Sequence, residues 1–505
     1  MSHDVVSGLV AVTVVTVATL AIGYWGLRFS RTTSDFFVAS RTVRPRLNAS
    51  AISGEYLSAA SFLGVAGLVL AFGAEMLWYP IGWTAGYLML LVLVAAPLRR
   101  SGAYTLPDFA EARLGRRVRA MCSVLVVAIG WLYLLPQFQG AGITLHAAVG
   151  LPEWVGPAIV GLVVLANVSA GGMRSITFVQ AFQYWLKLTA LLVPAVVVLV
   201  VWFGDGAPGV PEADGAWSIP LAGGGWEGLY TTYSLIIATF LGTMGLPHVV
   251  VRFYTNPDGR GARRTTVVVL ALLGLFYLLP PVFGALGRVY GGDLVTAGRS
   301  DVLVLELPGV MLPGLAGELL TGLVTAGAFA AFLSTSSGLV IAVGGVLAQD
   351  VTSRLWPRRG MDGIVAFRAG AALAVLVPLA VAILLPHVGV ARAVGLAFAV
   401  AASTFCPLLV LGIWWRRLTD VGALAGLLAG GLGCGAAVIW VLADGTGDGV
   451  GAVLLSQPAA WSVPLAFLTM VVVSLATSAR VPGNTRRFMV RLHTPESIDL
   501  DRGPG

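Results

Sequence analysis

The sequence predicts an all-α, polytopic membrane protein, and three observations carry that prediction. Of the 505 residues, 57% are hydrophobic and only 11% charged, against roughly 25% charged in soluble domains. The apolar residues fall in continuous runs, not in the alternating pattern of a membrane β-barrel. Thirteen runs are visible, and at about 20 apolar residues per crossing they account for about half of the chain. The 64 glycines and 26 prolines agree, because both residues are more frequent in membrane helices than in soluble ones.

The runs, numbered here as spans 1 to 13, centre on residues 5–27, 48–72, 76–97, 120–147, 153–170, 176–203, 228–250, 266–288, 316–347, 364–385, 391–414, 421–443 and 459–478. The first is too long for a signal-peptide core and lacks a basic start, so it reads as a span that stays. An odd number of crossings puts the termini on opposite sides. Arginine fixes which side is which, because cytoplasmic loops carry the basic excess. Alternate connections collect Arg28, Arg31, Arg41, Arg44 and Arg46, then Arg99 to Arg119, Arg174, Arg252 to Arg264, Arg354 to Arg368, Arg416, Arg417 and the tail arginines up to Arg502. The other side keeps only Arg288, Arg299 and Arg392. The expectation is a plasma-membrane protein with its N-terminus outside and a short cytoplasmic tail over 481–505. That tail is polar and reads as disordered. Residues 106–119 read as a helix lying along the inner surface, and the outer loops near 204–227 and 289–315 as short surface helices.

Two spans carry interruptions. Span 2 holds Ser53-Gly54-Glu55-Tyr56 near its middle, and span 7 clusters Gly242, Gly245 and Pro247. Free backbone groups inside lipid cost several kcal/mol each, roughly, so breaks persist only where they line a cavity. Spans 2 and 7 are five apart, and five is odd. Spans 2–6 and 7–11 therefore form two inverted halves, about 47–203 and 228–414, and matched broken helices place a solute site at mid-membrane. In span 9, Ala331, Ser334 and Thr335 fall on one helical face, and their hydroxyls and a carbonyl offer the neutral oxygens that a hard cation takes. A lone Ser-Thr pair would be read as helix packing; beside a broken span 2 it reads as an ion site.

SGEYLSAASFLG (53–64), GGMRSITFVQAFQ (171–183), GTMGLPHVVVRFYTNPDGR (242–260) and AAFLSTSSG (330–338) together resemble the sodium:solute symporter family, over about residues 5–480. The similarity is closest to its cation/acetate, or monocarboxylate, branch. The resemblance implies a five-plus-five inverted-repeat core working by alternating access, with Na+ as coupling ion. It implies a Na+ site made by the carbonyls of Gly54, Leu57 and Ala331 and the hydroxyls of Ser334 and Thr335. Two positions depart from the branch. Glu55 stands where an Asp is usual, and Gln180 where some relatives carry an Asp, which leaves Na+ and H+ both open as the coupling ion.

Ionisable groups at membrane depth are costly and rare, so each is a functional candidate. Glu55, Lys187 (the chain's one lysine) and His248 qualify, with Tyr56, Gln137 and Gly245 beside the breaks as further solute or coupling candidates; Gln139 is weaker, as an amide that ties neighbouring helices. Lys187 reads either as a partner of Glu55 and anchor for a carboxylate, or as a side chain snorkelling to the interface. The expected function is symport of a small monocarboxylate such as acetate or pyruvate, with symport of another solute such as proline as the alternative. A membrane enzyme would need a metal cluster or nucleophile–base pair that five scattered histidines do not supply. An ATP-driven pump would need a phosphate-binding loop motif, and a sensor an output domain after residue 480. Neither is expected, nor is a nucleic-acid partner, since no basic face with base-reading elements is visible. The partners expected are the solute and the lipid bilayer; the oligomeric state stays open.

Overall fold

The computed structural model describes residues 3–29, 33–210, 217–221, 225–352, 363–384, 389–443, 445, 447 and 449–498. Arg31, Arg354, Arg358, Arg359 and Arg502, counted above toward the inner side, lie outside the described residues, as do parts of the outer loop near 204–227 and the end of the tail. All regular structure among the described residues is helical.

Among the described residues, eleven helical stretches are long and apolar enough to cross a membrane. Two of them double back, which gives the thirteen crossings of the sequence reading. Val155–Gly204 has 50 residues, about 75 Å of helix against a hydrocarbon core of about 30 Å. It folds at Gly172 (φ 55°, ψ −154°). Asn167 before the fold and Ser175 after it both lie against Gly23 of span 1. Glycine is required there: the positive φ strains any other residue, and a Cβ would stand 2.6 Å from the Phe36 Cα. The stretch Ala60–Arg100 turns at Gly73, at φ 79°, after which Trp83 and Tyr87 return to the side chain of Tyr56.

The connections sort onto two faces, as alternate counting requires. On the arginine-rich face Arg41 donates to the Gly102 carbonyl at 2.6 Å, and Arg99 donates to the carbonyls of Asn256 and Pro257. Arg119 there pairs with Asp108 and Asp350, each at 2.9 Å. On the opposite face Tyr290 donates to Asp205 at 2.8 Å, Trp217 donates to the Leu70 carbonyl at 3.1 Å, and Gly67 packs on Ser300.

Residues 106–119 do form a helix, Leu106–Leu114, started by a capping box in which Thr105 and Asp108 satisfy each other's backbone N–H. It packs on protein, burying Leu106, Phe109, Ala110, Arg113 and Leu114. The tail departs from its expected disorder. Thr485–His493 is a helix that buries Phe488, Met489 and Leu492, one stripe of an otherwise basic segment. Arg113 joins the pieces, donating to the Gly412 and Trp415 carbonyls, each at 3.2 Å, and to Thr485 Oγ1 at 3.0 Å. Burial pushes this guanidinium's pKa down to about 10, which leaves it charged at neutral pH.

Span 9 (Leu315–Val346) is enclosed along its whole apolar length; spans 7 and 11 (Val390–Trp414) are nearly so, while spans 1, 10, 12 and 13 face outward. The two broken helices lie against this centre. Span 7 runs Gly225–Gly245, passes through an extended Leu246 (φ −71°, ψ 118°), and resumes as Pro247–Val251. Pro247 enforces the break, since it has no N–H and its ring clashes with the carbonyl four residues back. In span 2 the break falls later than expected. Ser53 to Tyr56 stay helical at the end of Pro45–Tyr56, and the chain opens at Leu57 and Ser58 before resuming at Ala59. The reason is tertiary: the polar groups freed at this point find partners on spans 4 and 6.

Candidate ion and solute site

Span 6, the arm of Val155–Gly204 after Gly172, lies close against span 2: a Cβ on Gly54 would fall 2.2 Å from the Gln180 carbonyl oxygen. Lys187 stands two helical turns beyond Gln180 and is fully buried. Its ammonium group donates to the Gly54 carbonyl, to the Leu57 carbonyl at 2.7 Å and to Ser334 Oγ at 2.9 Å. Ser334 Oγ in turn donates to the Ala331 carbonyl at 3.0 Å, and Thr335 Oγ1 donates to the Glu55 carbonyl at 2.6 Å. The five residues expected around a sodium ion are thus brought together between spans 2, 6 and 9. What sits among three of their oxygens is a lysine side chain.

Glu55 does not pair with Lys187. Its Oε2 accepts from Arg252 Nε at 2.5 Å, in an ion pair whose side chains are 2% and 0% exposed. Arg252 Nη1 also donates to Thr177 Oγ1 at 3.0 Å. The sequence reading placed Arg252 in an inner loop and missed it; its one legible signal was its place a helical turn after His248. Gly338 of the STSSG motif makes room for this pair, because a Cβ there would lie 2.1 Å from the Glu55 carboxyl carbon. Lys187 does not snorkel outward, and in this structure oxygens of spans 2 and 9, rather than the Glu55 carboxylate, take all three of its N–H bonds.

Around the breaks the side chains are mostly aromatic. The Tyr56 hydroxyl bonds to Thr243 Oγ1 at 2.8 Å, linking spans 2 and 7, and its ring meets Tyr87 edge-on with centroids 4.7 Å apart. Phe398 of span 11 touches Tyr56, Trp83 and Tyr133, and Tyr133 stacks at 5.2 Å on His248. His248 is buried with neither ring nitrogen bonded, and Trp83 Nε1 and the Tyr87 hydroxyl are likewise buried without a protein partner. Gln137 Oε1 accepts from the Ala59 N–H at 3.0 Å, so it caps the second half of span 2. That N–H is therefore already taken by a side chain. Gly245 serves close packing: a Cβ there would meet the Ala401 carbonyl at 2.3 Å. Gln139 is buried in span 4, and Gln180 donates to the Ser334 carbonyl at 2.7 Å, tying span 6 to span 9. From the arginine-rich face a narrow cleft, lined by Tyr104, Val126, Pro247, Val251, Ile341 and Gly345, reaches the break of span 7.

Discontinuous helices from two halves, meeting over a buried polar cluster, define a secondary transporter. The chain belongs to the sodium:solute symporter family, whose model matches residues 36–430. An uncharacterized symporter of Bacillus subtilis (strain 168), YwcA, is 34% identical over 473 residues, covering 89% of this chain and 90% of that protein. A Na+-coupled sialic acid symporter in its substrate-bound outward-open state superposes with a TM-score of 0.68 at 14% identity, over 94% of this chain and 98% of the other. MHP1, a nucleobase-cation-symport-1 family transporter closed around bromovinylhydantoin, superposes at 0.55 with 12% identity, over 90% and 98%. At such identities these likenesses show the fold, which is the five-plus-five inverted-repeat fold. The protein is a multi-pass membrane symporter of a small solute, not an enzyme.

Proposed function

We propose that this symporter carries a small monocarboxylate such as acetate or pyruvate across the cell membrane by alternating access, driven by a cation gradient. The observation that carries the reading is the set of unpartnered buried donors beside the two breaks: Trp83 Nε1, the Tyr87 hydroxyl and the His248 ring. A carboxylate accepts from all three kinds of group. The ring contacts around them, with centroids 4.7 to 6.3 Å apart, favour a solute of few atoms. The resemblance of the 53–64 and 242–260 motifs to the monocarboxylate branch points the same way. Glu55, through Arg252, and Tyr56, through Thr243, hold spans 2 and 7 together, and the cleft that reaches Pro247 supplies the inner route. Sodium, which gives the family its name, is one candidate driving ion and the proton the other. The basic face is cytoplasmic in this reading, and the N-terminus is outside.

Uptake of labelled acetate and pyruvate into proteoliposomes tests the proposal, with sodium and proton gradients imposed separately. Acetate uptake is expected, with strong competition by propionate and poor competition by amino acids. Selective inhibition by proline, with no acetate uptake, would replace the monocarboxylate by an amino acid.

A further inference from the structure

The cage between spans 2, 6 and 9 is where the family's ion was expected, and its geometry does not fit an added ion. An ammonium group has three donors and no acceptor. The three donors of Lys187 are matched by the carbonyls of Gly54 and Leu57 and the hydroxyl of Ser334. The Ala331 carbonyl already takes the Ser334 hydroxyl, and the Thr335 hydroxyl is turned to the Glu55 carbonyl. Charge argues the same way. The acid beside the cage, Glu55, is neutralised by Arg252. With the ammonium present the group already carries one net positive charge, and a sodium ion would add a second in a low-dielectric interior. The chain has thirty arginines and a single lysine, and the lysine is the residue found here. A compact ammonium on a flexible stem can imitate a spherical cation, whereas a planar guanidinium fork cannot.

We propose that Lys187 is a tethered cation that takes the place of sodium in this cage, holding the broken span 2 to span 9, so that the cage does not bind the ion. The inference rests on the symporter reading and decides what this one site contains; it makes no use of which solute is carried. It is therefore tested by binding and not by uptake. Saturable binding of radioactive Na+ to the purified protein is measured with choline as the control cation, together with the Na+ dependence of its thermal midpoint. The wild-type cage is expected to contribute nothing, so that Ser334→Ala, which retains the lysine, leaves both readouts at their wild-type values. Lys187→Ala empties the cage and is expected to gain a Na+-dependent rise in midpoint, which Lys187→Ala/Ser334→Ala loses again. Sodium binding by the wild type that Ser334→Ala weakens tenfold or more would overturn the proposal, because sodium would then share the cage with the lysine. Wild-type binding that ignores Ser334→Ala would place sodium elsewhere and leave the cage to Lys187. If Lys187→Ala does not fold, the Ser334→Ala comparison still decides. Failure of acetate uptake would count against the proposed solute and leave these outcomes untouched.

Discussion

Glu55 and Arg252 form a pair that lies in the protein interior, 197 residues apart in sequence and 2.5 Å apart in space. Removing one member of a buried pair leaves an uncompensated charge and costs about 3–5 kcal/mol. Arg252→Met and Glu55→Gln are each expected to lower the thermal midpoint markedly, and the double variant to recover most of the loss. Unfolding in detergent measures all three. Additive losses in the double variant would show that the residues act independently. The longer Glu at position 55 makes sense here, because its carboxylate leaves the helix end and reaches across to span 7. In the sequence Glu55 and Lys187 share membrane depth, so a pair between them is one expectation and a snorkelling lysine the other. Arg252 counts there with Arg260, Arg263 and Arg264 among the arginines of one face. Only the three-dimensional course of Pro247–Val251 carries Arg252 inward to 0% exposure.

At the scale of the element, each broken helix survives because its free polar groups are met from a neighbour. The Ala59 N–H depends on Gln137, so Gln137→Leu leaves a buried donor unmatched, at a cost of about 1–3 kcal/mol. The expected result is a lower thermal midpoint, accompanied by reduced uptake if the second half of span 2 shifts. Unchanged stability would mean that another group caps Ala59. Gly338→Ala pushes a methyl group against the Glu55 carboxyl carbon, 2.1 Å from the ideal Cβ position. Overpacking of this kind costs about 1–3 kcal/mol, and thermal unfolding of the variant measures it. The break in span 7 was legible from Gly245 and Pro247, since proline acts on its own helix. The break in span 2 was legible only to within a few residues. No proline marks it, and Leu57 leaves the helix because Lys187 and Gln137, on two other spans, receive its neighbourhood's backbone groups.

For the whole molecule, the segregation of arginine to one face sets the proposed orientation. Cys122, Cys406 and Cys434 are all buried and free, so a single introduced cysteine can be followed against a quiet background. A cysteine at Asp4 is expected to react with an impermeant thiol reagent in intact cells, and one at Arg487 only after permeabilisation. The reverse pattern would invert the orientation and with it the direction of the proposed cycle. The tail helix Thr485–His493 belongs to the same arginine-rich face, where Arg113 ties Thr485 to Gly412 and Trp415 at the end of span 11. Composition alone did not reveal it, because a nine-residue basic segment reads as solvated until its Phe488, Met489 and Leu492 stripe has a surface to cover.

The thirteen crossings, the two faces, the breaks in spans 2 and 7, and the hydroxyl-bearing face of span 9 are all legible along the chain. These follow from hydrophobicity, charge placement and helix breakers, all of which act within one segment and its flanks. The tertiary structure alone decided which charges meet and what fills the oxygen cage. Lys187 and Ser334 are 147 residues apart, and Lys187 and Gly54 are 133 apart. No local pattern specifies which of the many residues at one membrane depth will come within 3 Å of each other. That choice is made when glycines such as Gly54 and Gly338 let the helices close, and a buried charge then takes whichever partner the packing brings within reach.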